Sequence, residues 1–561
     1  MSLGKAVAVV LVFVICLYGS EASRSRNFLN FGANGGTNCA TCTVIFTFGE
    51  QLATIHNETV TKSLERFCNY LPPAVAIPCK VFVDYIAYEI IRVLPAKYNP
   101  DEACQGLGFC FTDTGEEQCH LFPKPKVSRV FNARRKRAAP NICELPGIKE
   151  ICKLIDKIFD GHMPAVDIDG DRFSVMKTFR GTSWRGKDCD DGSKDIHPGS
   201  RPHFSDVNKD TNCNGIYGSD SSGNAYEDQL CLNSQQRGAV VLGDSISAHF
   251  HLPREWFNTT EMSVVMFEPL LNILENELDW PELSSTTGFI PNPYPLINHG
   301  PTDSIYMRLK ARNRCNHRDY QNIAVNGARS GSMDDIMLSL FRDPTADYPV
   351  ILFYALVGND VCNGHPDTID HMTKPEQMKN NSLTTLKYLD QTLPKGSHVF
   401  LTALADGRVL YDSLHTRIHP IGSLRNDVTY ANFYDYFNCL QVSPCTGWMN
   451  SNETMRNLTT DRANELNSIL QQLSTEYQPK NYKLYYVDNP INQVLNEYEK
   501  NGGQKWELLE PVDGFHSNQI GQALTAKVIW ENLETNYPDV LGPENPNNSK
   551  IEQIFGAQGG Y

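Results

Sequence analysis

The chain has 561 residues, 41% of them hydrophobic and 10% aromatic, a globular composition spread over more length than one core usually organises. Two or more domains are therefore expected. A formal net charge of −15 argues against a nucleic-acid partner, since no overall basic field exists to neutralise phosphates.

In chain order, residues 1–22 come first: Lys5, the apolar run AVAVVLVFVICLY, then Ser20-Glu21-Ala22. This is the layout of a signal peptide, and its apolar run is too short to span a bilayer comfortably. A soluble mature protein, secreted or lysosomal, is expected. Cutting after Ala22 removes Cys16, one of the 17 cysteines, and leaves an even number for disulfide pairing in an oxidising compartment. N-x-Ser/Thr triplets at Asn57, Asn258, Asn380, Asn452, Asn457 and Asn547 are candidate glycosylation sites of the same compartment.

Six cysteines then crowd together: Cys39, Cys42, Cys68, Cys79, Cys104 and Cys110. The segments between them are helical in pattern, and spacing alone leaves their pairing open. Val75 to Leu94 carries apolar residues on more than one helical face, so part of that surface should meet lipid or another domain. Over residues 37–114 this framework resembles the saposin B-type family. The resemblance implies an all-α domain stapled by Cys39–Cys110, Cys42–Cys104 and Cys68–Cys79, and contact with lipid surfaces.

Residues 115–137 form a basic linker ending in Arg134-Arg135-Lys136-Arg137, which looks like a furin-type processing site. Cleavage after Arg137 would give a small and a large chain. Cys119 lies before the cut and outside the six-cysteine framework, so it is the expected tether, with Cys439 or Cys445 as its partner.

Residues 138–237 hold a further linker and then Asp/Asn-rich loops. Asp167, Asp169 and Asp171 alternate; Asp188, Asp190 and Asp191 follow; then come Asp206, Asn208, Asp210, Asn212 and Asn214. Oxygen donors alternating in tight loops suit a hard cation. Asp210 to Gly215 begins like an EF-hand loop, but position 12 is Ser221 rather than glutamate. The loops resemble instead the calcium-binding loops of thrombospondin type 3 repeats. Structural Ca2+, two or three ions, is the expectation.

From 238 to 540, β-rich apolar runs at 239–243, 350–356, 398–404 and 483–487 alternate with helix-like stretches, predicting an α/β/α domain with a parallel sheet. Residues 541–561 are read as a tail. The first run ends in Gly243-Asp244-Ser245, which places a hydroxyl at the carboxyl end of a strand, where open α/β sheets bind ligands. Serine needs a base to become nucleophilic, and Asp513-Gly514-Phe515-His516 offers imidazole and carboxylate on one short loop. Donors for an oxyanion are available at Asn359, after the run at 350–356, and at Gly327, with Asn326 and Asp360 as structural partners.

These four segments, in this order, look like the blocks of the SGNH (GDSL) hydrolase family. The resemblance implies Ser245 as nucleophile, His516 as general base and acid, and Asp513 as its orienting carboxylate. The oxyanion hole would be the backbone N–H groups of Ser245 and Gly327 with the Asn359 side chain. Saposin module, basic cut, acidic loops and SGNH domain together resemble the acyloxyacyl hydrolase family. That resemblance implies removal of secondary fatty acyl chains from the lipid A of lipopolysaccharide. A phospholipase or lysophospholipase is the alternative within the class, and a lipid-binding or transfer protein the alternative outside it.

Overall fold

The computed structural model describes residues 32–93, 99–123 and 162–561, without the side chains of residues 85, 86 and 88–93. The expected leader (1–22) and the processing site at Arg137 lie outside the described residues.

Four helices open the chain: α1 (Gly36–His56), α2 (Val60–Tyr70), α3 (Pro73–Val93) and α4 (Pro100–Leu107). Cys39 and Cys42 stand three apart on α1, hence on one face, and reach Cys110 and Cys104 respectively, while Cys68–Cys79 staples α2 to α3. These are the three expected pairings. Every residue of α1 from Gly36 to Gly49 is buried. One helix cannot hide all its faces within so small a domain, and the second domain covers the remainder. The Tyr436 hydroxyl donates to Thr43 Oγ1 at 2.8 Å, and Phe48 and Phe67 meet Phe257 and Phe267 edge-on, with centroids 5.8 and 6.0 Å apart. On α3, Val75 and Val83 are buried, but Ile77 and Val81, one turn apart, are 52% and 40% exposed.

The second domain is built on five strands. β1 (Gly238–Gly243), β2 (Tyr320–Asn322), β3 (Val350–Ala355), β4 (Ser397–Thr402) and β5 (Tyr482–Val487) form one sheet in the order β2-β1-β3-β4-β5, and every pairing is parallel. Helices cover both faces of such a sheet, so its strands read as continuous apolar runs; Val240, Leu352 and Val399 lie in register across it, all buried. β1 has β2 on one side and β3 on the other. The winding therefore reverses at β1, and the crevice beyond its carboxyl end is the natural ligand site.

Three of the longer helices that follow are α5 (Pro375–Thr392), α6 (Tyr430–Cys439) and α7 (Glu453–Glu476), of which α6 reaches the site. Cys439 at the end of α6 is bonded to Cys119, so of the two expected partners it is Cys439 that pairs; Cys445 pairs with Cys362. Among the described residues, no helix is long and apolar enough to cross a membrane.

Candidate active site

The turn after β1 carries Ser245. Asp244 caps it, accepting from the Ile246 N–H at 3.0 Å through one carboxylate oxygen and from the Val357 N–H at 2.7 Å through the other. One buried side chain thus pins the nucleophile's turn to the segment leaving β3. Burial pushes the Asp244 carboxyl up to about 6. Its bridging role was not readable from the sequence, because the Val357 end of the bridge comes from a distant segment.

The Ser245 hydroxyl donates to His516 Nε2 at 2.7 Å, and His516 Nδ1 donates to Asp513 at 2.6 Å. The second oxygen of Asp513 accepts the N–H groups of Phe515 and His516, at 2.7 and 3.1 Å. The carboxylate is thereby held within its own loop, as the Asp-x-x-His spacing predicts. All three residues are buried. Burial pulls the His516 imidazole down, but Asp513, with Asp244 and Glu510, outweighs it and the net shift is upward. The serine hydroxyl, the imidazole and the carboxylate are therefore joined in one hydrogen-bonded chain, the contact that nucleophilic catalysis with a general base requires.

Gly327 stands at a φ of +76° on a segment stitched to β1 by Ile323 N–H to Val241 O (2.8 Å) and Val325 N–H to Gly243 O (3.1 Å). A positive φ costs glycine nothing, whereas a residue with a Cβ is strained there. Asn359 donates one amide hydrogen to Ala328 O at 3.1 Å, which fixes the side chain and couples it to the Gly327 segment. Asp360 accepts from Ser330 and Thr373, and Asn326 donates to Glu277 O and Asp279. Both hold loops together, as expected of structural partners.

Sequence inspection missed what grips the catalytic loop. Tyr430 and Tyr434 of α6 donate to Pro511 O and Gly514 O, and buried His419 donates to Val512 O at 2.6 Å. Buried His251 sits with Nδ1 at 2.7 and 2.8 Å from the two oxygens of Glu510, while neighbouring Phe250 packs its ring against His516, centroids 4.9 Å apart. Beside the nucleophile's turn lies an apolar cavity whose walls include Ile246, Val357, Val409, Leu410, Trp448 and Phe515.

The acidic loops converge into two groups rather than three. Asp167, Asp169 and Asp171 lie with ligand atoms within 4.8 Å of one another, and Asp188 and Asp191 are their charged neighbours. In the second group, Asn212 and Asn214 both donate to Glu227, a buried residue on the short helix Tyr226–Leu230 that the EF-hand-like spacing did not point to. Asp206 and Asp210 neighbour Glu227 electrostatically. The remaining two expected ligands stand apart: Asp190 turns outward to Lys209, and Asn208 is exposed. Buried carboxylate oxygens of Asp169, Asp171, Asp188 and Asp210 have no hydrogen-bond donor. Burial raises Asp171 and Glu227 to about 8, and Asp188 and Asp210 to about 6.

Of the glycosylation candidates, Asn57, Asn380 and Asn452 are exposed and Asn457 is half-buried. Asn258 is buried, and Asn547 donates its amide to Gln229 O and Leu230 O.

A serine–histidine–aspartate constellation at the switch point of a parallel sheet, joined to a disulfide-stapled helical domain, is the arrangement of a serine hydrolase domain with an appended helical domain. Family models agree: the GDSL-like Lipase/Acylhydrolase model matches residues 240–529 and the Saposin-like domain model residues 38–153. The chain is 43% identical to acyloxyacyl hydrolase of Homo sapiens over 99% of both chains. It is 44% identical to acyloxyacyl hydrolase of Mus musculus, over 94% of both chains, and 44% identical to that of Oryctolagus cuniculus, over 93% of both. The chain belongs to the acyloxyacyl hydrolase family, and it is a carboxylic ester hydrolase acting on lipid acyl chains.

Proposed function

We propose that this enzyme removes secondary fatty acyl chains, those esterified to hydroxyls of other acyl chains, from the lipid A of bacterial lipopolysaccharide. The observation that carries the reading is the Ser245–His516–Asp513 hydrogen-bonded chain, whose chain neighbours Ile246 and Phe515 line an apolar cavity. His516 takes the Ser245 proton as the oxygen attacks the ester carbonyl, and Asp513 steadies the imidazolium that forms. The tetrahedral oxyanion is met by the Ser245 and Gly327 N–H groups and the Asn359 amide. His516 then returns its proton to the leaving hydroxyl, and water repeats the sequence to free the fatty acid. Each methylene moved from water to the apolar cavity contributes about 0.8 kcal/mol, so a long acyl chain is held mainly by burial. The exposed edge at Ile77 and Val81 supports a lipid-facing role for the helical domain.

Three further parts of the reading belong with it. Structural Ca2+ fits the donor set: the orphaned carboxylate oxygens of Asp169, Asp171, Asp188 and Asp210 are acceptors that a hard cation would satisfy. Asp167 and Asp191 would complete one site, and Asn212, Asn214 and Glu227 the other. Cleavage after Arg137 in the secretory pathway would leave two chains held by Cys119–Cys439. The enzyme would be secreted or lysosomal. Mass spectrometry of acids released from purified lipopolysaccharide tests the central claim. Non-hydroxylated secondary acids alone are expected; release of 3-hydroxy primary acids, or of none, overturns it.

A further inference from the structure

The two segments that carry the serine and the histidine touch each other twice. One leaves β1 through Ser245 and reaches His251 six residues later; the other runs from Glu510 to His516, also six residues. The first contact is the Ser245 hydroxyl to His516 Nε2, at 2.7 Å. The second joins the other ends: His251 Nδ1 lies 2.7 and 2.8 Å from the two oxygens of Glu510. Each segment is closed on itself, Phe250 N–H donating to Ser245 O and Glu510 N–H to His516 O, both at 2.8 Å. The Phe250 ring packs against the imidazole of His516.

The second contact carries charge. His251 Nε2 stands 2.8 Å from Ile297 O, which can only accept, so that nitrogen holds a hydrogen. Nδ1 faces a carboxylate, and the Glu510 side chain is fully buried with, among the described residues, no other bonded partner than His251. Burial pulls the His251 imidazole down, but Glu510 outweighs it and the net shift is upward. The contact is therefore an imidazolium–carboxylate pair, and removing either partner would leave a buried charge alone.

We propose that His251 and Glu510 are a positioning pair that keeps His516 over the serine in the half of the reaction when the serine hydroxyl no longer can. The inference rests on Ser245 acting as nucleophile and His516 as its base. Once Ser245 Oγ is bonded to the acyl carbon it has no hydrogen to donate, and its contact with Nε2 is lost. Deacylation needs the same nitrogen to take a proton from water as the water oxygen bonds the acyl carbon. It must then return that proton to Oγ as the bond between Oγ and carbon breaks. Asp513 sets the tautomer of His516, but both lie on one loop, so it does not set that loop's distance from the serine turn. Tyr430 and Tyr434 tie the loop to α6, whereas His251 ties it to the nucleophile's own segment. That tie is untouched by acylation, and it reaches His516 through the Glu510 N–H.

The test is pre-steady-state hydrolysis of p-nitrophenyl butyrate by the full chain, with intact-protein mass spectrometry to follow the acyl-enzyme. His251→Ala and Glu510→Ala should each slow deacylation about tenfold or more relative to acylation, so that protein acylated on Ser245 accumulates above the parent's level. The double variant should be no worse than the poorer single one, since the two residues act as a unit. Glu510→Gln should recover most of the lost rate, because its amide can donate to a neutral His251 Nδ1 and restore the tie. If the alanine variants do not fold, Glu510→Asp, which keeps the charge one carbon short of His251, reads the same ratio. Equal slowing of both half-reactions, additive losses in the double variant, or an acyl-enzyme level like the parent's overturns the proposal. Turnover that survives Ser245→Ala would instead overturn the catalytic reading beneath it.

Discussion

Gly514 is the smallest residue of the catalytic loop and the least replaceable. It stands at a φ of +61°, and a Cβ there would lie 2.3 Å from the Tyr434 hydroxyl that holds the loop. Gly514→Ala must therefore either strain the backbone or push α6 away, and both displace Asp513 and His516. An error of an ångström in catalytic geometry costs about 100-fold in rate. A fall of that order in kcat is expected, read with a short-chain ester so that lipid delivery does not enter. Ser245→Ala removes the nucleophile without disturbing a bond that holds the fold. It should abolish turnover while leaving the melting temperature within a degree or so of the parent's. Asp513→Asn behaves differently. The carboxylate raises the His516 pKa and sets its tautomer, so the variant should lose about 10⁴-fold in kcat and its imidazole should titrate lower by NMR. An unchanged imidazole titration would remove Asp513 from its orienting role.

Helix α6 connects the two domains to the chemistry. Tyr430 and Tyr434 hold the catalytic loop, Tyr436 bonds Thr43 of α1, and Cys439 carries the disulfide to Cys119. The helical domain is thus a neighbour of the triad through one helix, not a separate module on a string. Deleting residues 32–114 should therefore lower turnover of a small soluble ester as well as of lipid, whereas a merely appended lipid module would leave the soluble ester unaffected. Of this, the tether at Cys119 was legible in the sequence, with its partner left between Cys439 and Cys445; the grip of α6 on the catalytic loop and on α1 was not. Four of the five strands, the serine turn and the Asp-x-x-His loop were legible, because each is written locally: an apolar run ending in Gly-Asp-Ser, or an acid three residues from its histidine. What escaped depends on residues distant in the chain that meet only in the fold. Glu227 lies outside the EF-hand register, Asp244 reaches Val357, and the choice of Cys439 over Cys445 is made by where α6 packs. The three-residue β2 is too short to announce itself by pattern.

At the scale of the whole molecule, the acidic loops serve as an edge to the sheet. Their segment 184–186 bonds along β2, through Gly186 N–H to Tyr320 O and Asn322 N–H to Trp184 O, which covers an otherwise open strand. From the same region Arg180 forms a buried two-pronged pair with Glu277 and donates to Ala324 O, just ahead of Gly327. Disordering the loops would loosen the oxyanion segment as well as the edge. The pH dependence follows from the raised carboxyls, about 8 for Asp171 and Glu227 and about 6 for Asp188 and Asp210. A carboxyl whose pKa rises on folding binds more protons folded than unfolded. Without a cation the fold therefore loses stability as pH climbs from about 4, the ordinary value, through those raised values. A bound calcium would have to displace the same protons, so its stabilisation would be largest above pH 8 and would shrink as pH falls through 8 and then 6. Melting temperatures with excess Ca2+ and with chelator should differ most at pH 8 and converge toward pH 5, with ester hydrolysis lost on chelation at the higher pH. Equal differences at both pH values would place the bound ion elsewhere, and no difference at either would remove calcium from these loops.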